Sequence, residues 1–356
     1  MRRAAALIVG GGPAGSAAAI GLARAGAMPV IIERAPGPRD VVCGGFLGWD
    51  ALAHLRRLGL DPARLGARPI RRLRLVAGTR VVEADLPGAA AGLSRRALDA
   101  ALLQIAEAEG ATVLRGRAAR AVEGHRVRLD DGHEIEADSL FVATGKHELR
   151  GTVRDLGAHG VSVGLRATLV PTPKLEHALA ATIELHLYDR GYAGLLVQED
   201  GAVNLCLTVA QDRMAGGRAA FLAALMSEAP LLAERIGALP KGWEAIAGVP
   251  YGWRARTTKP GIYRVGDQVA VIASFAGDGI AVALASGAAA AQACLHGDGR
   301  GARAYQAGFA RRAARPVKVA EALRHMAEHR AGRTAMMQLA KIGGLVGLAA
   351  RLSRIG

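Results

Sequence analysis

The order of apolar and polar positions at the start of the chain predicts a strand, a helix and a second strand. Ala5–Val9 is an uninterrupted apolar run, which is typical of a strand buried on both faces. A glycine-rich turn follows, and then an alanine-rich stretch with helical character that ends at Gly26. The second apolar run, Val30–Ile32, ends at the acidic residue Glu33. This order predicts a βαβ unit with parallel strands.

Two further patterns follow along the chain. Residues 160–210 form long runs of strand character with a hairpin turn at Asp200-Gly201, and they predict a mostly antiparallel second domain. Ile262–Asp267 and Val269–Ala273 return to the short apolar runs of the first part and lead through a second glycine turn into a helix over Ile280–Cys294. The rest of the chain is predicted to be helical. The long predicted strands are Val161–Val170, Ala181–Leu187, Ala193–Gln198 and Val203–Val209.

The turn after the first strand has the spacing Gly10-x-Gly12-x-x-Gly15, which favours binding of a dinucleotide. Gly10 allows a tight turn, Gly12 lets backbone N–H groups approach a pyrophosphate, and Gly15 lets the helix pack close to the strand. The anion then lies at the helix N-terminus, where free N–H groups and the helix dipole favour negative charge. Glu33 follows at the spacing of a carboxylate that binds ribose hydroxyls.

Composition excludes several classes of protein. A hydrophobic content of 51% excludes a disordered chain, and 356 residues are enough for two domains. We find no uncharged apolar stretch as long as a membrane span, and the apolar run after Met1 continues into the glycine motif, unlike a secretory signal. Cys43, Cys206 and Cys294 are too far apart in sequence to indicate a disulfide framework or a zinc cage. We therefore expect a cytoplasmic protein without a metal site.

The net charge of +15 is concentrated towards the C-terminal end. Residues 300–356 carry twelve Lys and Arg against Glu321 and Glu328, a net charge of +10. One interpretation is a basic amphipathic helix that contacts the inner face of an anionic membrane. The other is a helix packed on the rest of the protein with its cations in solvent. Basic residues without interleaved aromatic side chains argue against nucleic acid as a partner.

Three separated motifs together resemble a known flavoprotein superfamily. They are the N-terminal glycine motif, Arg95-x-x-Leu98-Asp99, and Val265-Gly266-Asp267 followed by Gly277-Asp278-Gly279. In this order they resemble the superfamily of aromatic monooxygenases, geranylgeranyl reductases and flavin-dependent halogenases. The resemblance implies FAD, with Arg95 in contact with it and Asp267 at its ribityl chain. It also implies that the helix starting after Gly277 faces the flavin pyrimidine edge, where a helix N-terminus stabilises reduced flavin.

The resemblance also implies a fold and a full cofactor site. The fold is α/β, with a discontinuous Rossmann-like FAD-binding domain (1–70, 92–150 and 262–300), a mostly antiparallel β-sheet substrate domain (71–91 and 151–261) and a basic helical C-terminal segment (301–356). The predicted FAD-binding residues are Gly10, Gly12, Pro13, Ala14, Gly15, Glu33, Arg34, Gly45, Arg95, Ala143, Thr144, Gly145, Asp267, Gly277, Asp278, Gly279 and Ile280.

This chain departs from the superfamily's motifs at positions that distinguish reductases and halogenases from the other members. Reductases and halogenases carry a strand motif with tryptophan and proline, where this chain keeps Tyr192 but has Gly194 and Val197. Halogenases need a lysine early in the chain, whereas the first lysine here is Lys146, so a halogenase is not expected. Cys43-Gly44-Gly45 resembles geranylgeranyl reductases, and a small buried hydrophobe is an equal explanation for this cysteine.

A narrower resemblance points to the substrate. The segments around Tyr192, Asn204 and Tyr251 resemble bacterial flavoproteins found beside type III polyketide synthases. The predicted activity is therefore hydroxylation of a small lipophilic aromatic or polyketide-derived substrate by an FAD-dependent monooxygenase, through a flavin C4a-hydroperoxide formed with O2. The predicted catalytic residues are Cys43, His186, Tyr192 and Tyr251, although a lone histidine on a strand is more often structural.

Two other functions stay open from the sequence. One is a flavin-dependent ene-reductase of the geranylgeranyl reductase type, and the other is a non-catalytic flavin-bound protein for electron transfer or membrane-associated binding. Since no second GxGxxG motif occurs, NAD(P)H is expected to dock only transiently as the reductant.

Overall fold

The computed structural model describes residues 2–157, 159–297 and 301–355. This part of the chain holds fifteen strands and eleven α-helices. The strands are β1 (Arg2–Val9), β2 (Val30–Glu33), β3 (Phe46–Leu47), β4 (Arg68–Ala77), β5 (Arg80–Gly92), β6 (Thr112–Arg115), β7 (Ala119–Glu123), β8 (Arg126–Leu129), β9 (Glu134–Val142), β10 (Ser162–Leu169), β11 (Thr182–Tyr188), β12 (Gly191–Val197), β13 (Val203–Ala210), β14 (Glu244–Val249) and β15 (Ile262–Arg264). The helices are α1 (Pro13–Arg24), α2 (Trp49–Arg57), α3 (Arg95–Ala108), α4 (Pro173–Ala178), α5 (Gly217–Glu228), α6 (Pro230–Ile236), α7 (Gly279–His296), α8 (Gly301–Arg312), α9 (Ala314–Glu328), α10 (Arg330–Leu339) and α11 (Leu345–Leu352). The predicted end of the FAD-binding domain, at residues 298–300, lies outside the described residues.

The first sheet has the strand order β6-β2-β1-β9-β8-β7, and β15 also pairs with β9. β1 runs parallel to β2 and to β9, with Leu7 opposite both Val30 and Leu140. Ala6–Val9 are buried on both faces, which explains most of the uninterrupted apolar run in the sequence. Because parallel strands end at the same edge, the glycine turn, Glu33 and the residues after Val142 are brought together there.

Small residues let two helices pack closely on this sheet. A Cβ on Gly287 of α7 would lie 2.2 Å from the carbonyl oxygen of Ala14 in α1, so any larger residue would separate the helices. The expectation that no apolar stretch is as long as a membrane span is wrong, since α7 is the one helix among the described residues that is long and apolar enough to span a membrane by length and composition. Half of this helix is buried inside the protein. The close contact with α1 accounts for this apolar character, as expected of a core helix.

The second sheet has the order β14-β10-β13-β12-β11-β4-β5-β3. Its strand pairs are antiparallel except for β11 and β4, which run parallel. The sheet is therefore mostly antiparallel, as the sequence predicted for the second sheet. One face packs on α5 and α6, where Phe221, Leu225 and Leu232 are buried.

The C-terminal helices cover the other side of this sheet. Met336, Met337 and Ala340 are buried against Leu75 and Leu185. The basic segment is thus helical and packed on the protein, although Arg300 lies outside the described residues. Leu339, Ile342 and Leu348 stay exposed.

One predicted strand is wrong. Val269–Ala273 is buried but forms no strand, since Ala270 makes only an isolated bridge to Arg254. A neighbouring loop supplies its hydrogen bonds, as where the Val271 N–H donates to Trp253 O at 2.9 Å. A short apolar run shows burial, and burial alone does not distinguish a strand from a packed loop.

Candidate active site

The carboxyl edge of the first sheet and the start of α1 enclose a groove of about 850 Å³. Gly10 has φ of +112°, and a Cβ there would lie 2.4 Å from the carbonyl oxygen of Ala143. A Cβ on Gly15 would lie 1.9 Å from the carbonyl oxygen of Gly10. Gly12 caps α1 without a side-chain hydrogen bond, so the first N–H groups of the helix are left for a ligand. These features fit the pyrophosphate of a dinucleotide.

The carboxylate of Glu33 lies in the same groove. One oxygen accepts the N–H of Gly11 at 2.8 Å and the other accepts the N–H of Ala35 at 2.8 Å. Glu33 therefore fixes the two loops that flank the groove and still presents acceptor lone pairs to a ribose. Next to it, Arg34 Nη2 lies 2.6 Å from His147 Nε2, and burial together with Arg34 lowers the pKa of His147.

Arg95 closes the groove beside the glycine motif. Its Nε and Nη2 donate to the two carboxylate oxygens of Asp99 at 2.8 and 2.7 Å. Burial opposes the charge of Arg95, but Asp99 outweighs it and raises the pKa of the guanidinium. A Cβ on Gly12 would lie 3.2 Å from Arg95 Nη2, so this cation lies directly over the position expected for the pyrophosphate.

A second cavity, of about 570 Å³, adjoins the groove and is mostly apolar. Its walls include Leu75, Ile183 and Leu185 from the second sheet and Leu323 and Met336 from the C-terminal helices. The residues that line both spaces are Gly12, Val42, Arg95, Ala143, Gly145, Lys146, Ile246 and Asp267. A ligand in the groove can therefore reach the apolar cavity.

Four hydroxyl groups form one polar cluster in the apolar cavity. Ser274 Oγ lies 2.7 Å from the hydroxyls of both Tyr192 and Tyr251, and Thr208 Oγ1 lies 2.9 Å from the Tyr251 hydroxyl. Burial raises the pKa of Tyr192 and of Tyr251 above the ordinary value, so both remain protonated at neutral pH. The structure thus brings two of the predicted catalytic residues together, with Ser274 and Thr208 added.

Lys146 is absent from the predicted site, yet it lies where the two spaces meet. Its Nζ is 3.4 Å from Asp267 Oδ2, and this charge raises the pKa of the ammonium. The signal that could have found it is its position directly after Ala143–Gly145, since loop residues that follow a cofactor motif often carry function. Lys146 and Asp267 are the charged pair at the junction.

Two cysteines line the apolar cavity. Cys43 lies on the loop before β3, where Asn204 Nδ2 donates to its carbonyl oxygen at 3.0 Å and to that of Gly44 at 2.8 Å. Cys206 on β13 lines the same space, and burial raises the pKa of its thiol to about 12. Both cysteines therefore border the apolar cavity, and Cys206 stays a neutral thiol at neutral pH.

Most predicted cofactor residues fall on these two spaces. The groove is lined by Gly10, Gly12, Glu33, Arg34, Arg95, Ala143, Thr144, Gly145 and Asp267. The apolar cavity is lined by Pro13, Ala14, Gly45, Gly277, Gly279 and Ile280, among others. Gly15 lies behind the groove, where it permits the contact of α1 with β1.

Two predicted residues need correction. His186 lies on the face of β11 that points away from the cavity, since side chains alternate along a strand and Ile183 and Leu185 face the cavity. Its Nε2 instead lies 2.7 Å from Glu184 Oε1. Asp278 lines neither space, because its carboxylate accepts hydrogen bonds from Arg354 and from the N–H of Ile355 at 2.8 and 3.0 Å. Burial raises the pKa of Asp278 to about 6, although Arg354 opposes this.

Comparison with known sequences agrees with this geometry. Residues 3–154 match the family described as FAD binding domain. A menaquinone reductase of Mycobacterium tuberculosis is 40% identical over 121 residues, which are 33% of this chain and 30% of that protein. A menaquinone reductase of Mycolicibacterium smegmatis is 28% identical over 319 residues, which are 83% of this chain and 77% of that protein.

Solved structures share the fold over nearly the whole chain. A geranylgeranyl bacteriochlorophyll reductase-like protein from Thermoplasma acidophilum has a TM-score of 0.79 at 18% identity and covers 98% of this chain and 96% of its own. PqsL, a probable FAD-dependent monooxygenase from Pseudomonas aeruginosa, has a TM-score of 0.73 at 19% identity and covers 95% of this chain and 100% of its own. The flavin-dependent brominase Bmp2 has a TM-score of 0.76 at 16% identity and covers 99% of this chain and 93% of its own.

These findings define the class of protein. The chain carries an FAD-binding domain over residues 3–154 and has the fold shared by monooxygenases, halogenases and geranylgeranyl reductase-like proteins. The glycine turn, the free start of α1 and the Arg95 guanidinium are the features that fit the cofactor.

Proposed function

We propose that the chain is an FAD-dependent reductase of a lipophilic, quinone-like substrate. The observation that carries the proposal is an apolar cavity that opens onto the nucleotide groove and holds a single cluster of four hydroxyl groups. Such a cavity suits a ligand with one polar ring and a large apolar remainder, because buried polar groups need partners and apolar ones do not. The relatives named menaquinone reductase support this substrate class.

The chain's own residues suggest how the reaction proceeds. When bound, FAD supplies the electrons that reduce the substrate. Tyr192 and Tyr251 are protonated and share Ser274, so either hydroxyl can donate a proton to a substrate oxygen or carbon held beside the cluster. Lys146 holds a positive charge at the junction and favours negative charge that develops there. The apolar walls exclude water.

A second candidate activity uses the same residues. In a monooxygenase, the hydroxyl cluster would hold the hydroxyl group of an aromatic or polyketide-derived ring while O2 supplies the inserted oxygen. The fold shared with PqsL supports this candidate at the level of the fold alone. In both activities we propose NAD(P)H as a transient reductant, since the chain has no second dinucleotide motif.

One experiment separates the two activities. The purified yellow protein is supplied with NADPH and a short-chain menaquinone, with and without O2, and the product mass is measured. The proposed reductase yields a product two hydrogens heavier, about +2 Da, in the absence of O2, whereas a monooxygenase requires O2 and adds one oxygen, about +16 Da. NADPH oxidation that is independent of the menaquinone, with no change in its mass, would reject the proposed substrate class.

We also propose that the protein is cytoplasmic and contacts the membrane that holds such a substrate. The turn after α10 exposes Ile342, at 54%, and the first half of α11 exposes Leu348, at 51%; Lys341 and Arg351 lie near them in sequence. No carboxylate occurs from residue 329 to residue 356. Exposed apolar side chains that lie next to basic residues, in a segment without acidic residues, are suited to an anionic lipid surface.

A further inference from the structure

Helix α11 forms part of the cavity wall but is loosely held. Leu345, Val346, Leu348, Ala349, Ala350 and Leu352 all line the apolar cavity. None of the eight residues of this described helix is fully buried. A wall element without buried residues has little packing to hold it in place, so its position depends on its two ends.

The N-terminal end of α11 is built to bend. Gly343 and Gly344 precede the helix, and Gly344 has φ of +83°. A Cβ on either glycine would meet nothing within 4 Å, and the Gly344 carbonyl oxygen accepts the N–H of Leu348 at 2.8 Å. Two consecutive glycines with free space beside them give the backbone a wide choice of conformations.

The C-terminal end of α11 is fastened. Arg354 Nη1 donates to Asp278 Oδ1 at 2.8 Å and to Gly277 O at 3.2 Å, and its guanidinium lies 4.3 Å from the ring centre of Trp49. The N–H of Ile355 donates to Asp278 Oδ2 at 3.0 Å, and the Ile355 side chain is buried in the core. Asp278 belongs to the turn that starts α7, directly between the cavity-lining Gly277 and Gly279.

We propose that α11 is a strap that closes the apolar cavity, and that Arg354 is a positioning residue whose ion pair with Asp278 holds the strap shut. Opening requires the Arg354–Asp278 pair to separate, and the Gly343-Gly344 pair then lets α11 move away from the cavity. A closed strap keeps a lipophilic ligand and the reacting groups away from water, and an open one admits the ligand. The proposal rests on the proposed function only in taking this cavity as the substrate site.

The experiment uses full-length holoenzyme and the neutral dye Nile red as the probe. Arg354→Gln and Asp278→Asn weaken the pair, while Gly48→Ala keeps both partners and places a Cβ 2.5 Å from Arg354 Nη1. Arg351→Gln, which removes an exposed cation of the same helix, is the control. We expect the three test variants to raise the association and dissociation rate constants of Nile red together, by about tenfold, with little change in Kd.

Hydrogen exchange supplies the second readout. In the test variants, exchange of residues 345–352 should accelerate while that of α7 and α9 stays as in the wild type. If the Arg354–Asp278 pair had a purely structural role, the test variants would also accelerate hydrogen exchange in α7 and would change the Kd of the dye. Unchanged dye rates and unchanged exchange of residues 345–352 in folded Gly48→Ala and Arg354→Gln would overturn the proposal. Because no turnover is measured, failure of the proposed reductase activity would be seen separately.

Discussion

Tyr251 shows how a single residue acquires a role from its surroundings. Its hydroxyl lies between Ser274 Oγ and Thr208 Oγ1, at 2.7 and 2.9 Å, and lines the apolar cavity. Burial raises its pKa, while Lys146 partly offsets this effect. The hydroxyl is therefore neutral and is held in place by two hydroxyl partners, as suits a proton donor to the substrate.

At this scale we predict the effect of Tyr251→Phe. The variant should reduce the rate of substrate turnover by about a hundredfold, because it removes the proton donor and leaves the walls intact. Reduction of the bound flavin by NADPH, followed at 450 nm by stopped flow, should not change. Below about pH 10 the wild-type rate should not show titration of this tyrosine, since its pKa is raised.

The matched control is Tyr305→Phe. Tyr305 is also buried, but its hydroxyl donates to Arg264 O at 3.0 Å in another part of the molecule. If both variants lose the same activity, the loss reflects packing rather than proton donation. Turnover of Tyr251→Phe at the wild-type rate would remove Tyr251 from the mechanism.

At the scale of elements, a buried carboxylate joins β4, β11 and α6. Glu184 Oε2 accepts a hydrogen bond from Arg74 at 2.6 Å, and Oε1 accepts one from Arg235 at 2.9 Å. Burial opposes the charge of Glu184, but hydrogen bonds from His186 and Arg235 outweigh it and lower the pKa of the carboxyl. His186 is thus part of a structural network behind the sheet, not of the active site.

Glu184→Gln should lower the free energy of unfolding by about 3 kcal/mol, because it removes the buried counter-charge that the Arg74 and Arg235 guanidinium groups share. Glu83→Gln, which affects an exposed partner of Arg74, should cost less than about 1 kcal/mol. The depressed pKa means that the stabilisation is complete above pH 4.5, the ordinary value for glutamate, and is lost as the pH falls below it. Urea unfolding of the two variants at pH 7 and at lower pH measures these free energies. Equal decreases in the free energy of unfolding for Glu184→Gln and Glu83→Gln at pH 7 would contradict the prediction.

At the scale of the whole molecule, charge and shape suggest an orientation at a surface. The chain carries +15, and its exposed apolar turn lies on the same helices that line the substrate cavity. A protein that takes its substrate from a bilayer benefits from this arrangement, since the cavity then opens near the lipid. The helical segment can therefore be packed on the protein and still contact a membrane, so the two interpretations of the sequence are compatible.

Ile342→Glu combined with Leu348→Glu should reduce binding to vesicles of phosphatidylglycerol and phosphatidylcholine by at least tenfold, because it replaces apolar contacts and adds negative charge. Co-sedimentation at low and at 0.5 M salt measures this, and the wild type should bind less at high salt. Val170→Glu, at an exposed apolar residue of another region, is the control. Equal binding of all three proteins would exclude the turn as the contact.

Local motifs predicted much of the cofactor half of the site. Gly10, Gly12 and Glu33 were expected from their spacing, Arg95 and Asp267 were expected from the superfamily resemblance, and all five line the groove. Here sequence is informative because a tight turn next to a phosphate needs glycine at fixed positions, and this requirement is local. The predicted division into domains stays a prediction.

The substrate half could not be predicted in the same way. Tyr192, Thr208, Tyr251 and Ser274 come from four separate segments, and only the folded chain brings their hydroxyls within hydrogen-bonding distance. Lys146 was left out of the predicted site because its sequence neighbourhood does not show that it meets Asp267, although its position after Ala143–Gly145 favours a functional role.

The sequence by itself determined the α/β class, the dinucleotide turn and the helical end of the chain, because each depends on periodicity or on backbone freedom within a few residues. Tertiary structure alone decided which face of β11 meets the cavity, so that Leu185 lines it and His186 does not. It also decided that Asp278 binds Arg354 and that the C-terminal helices close the cavity. Those contacts join residues far apart in the chain, and their energy depends on burial and charge that exist only after folding.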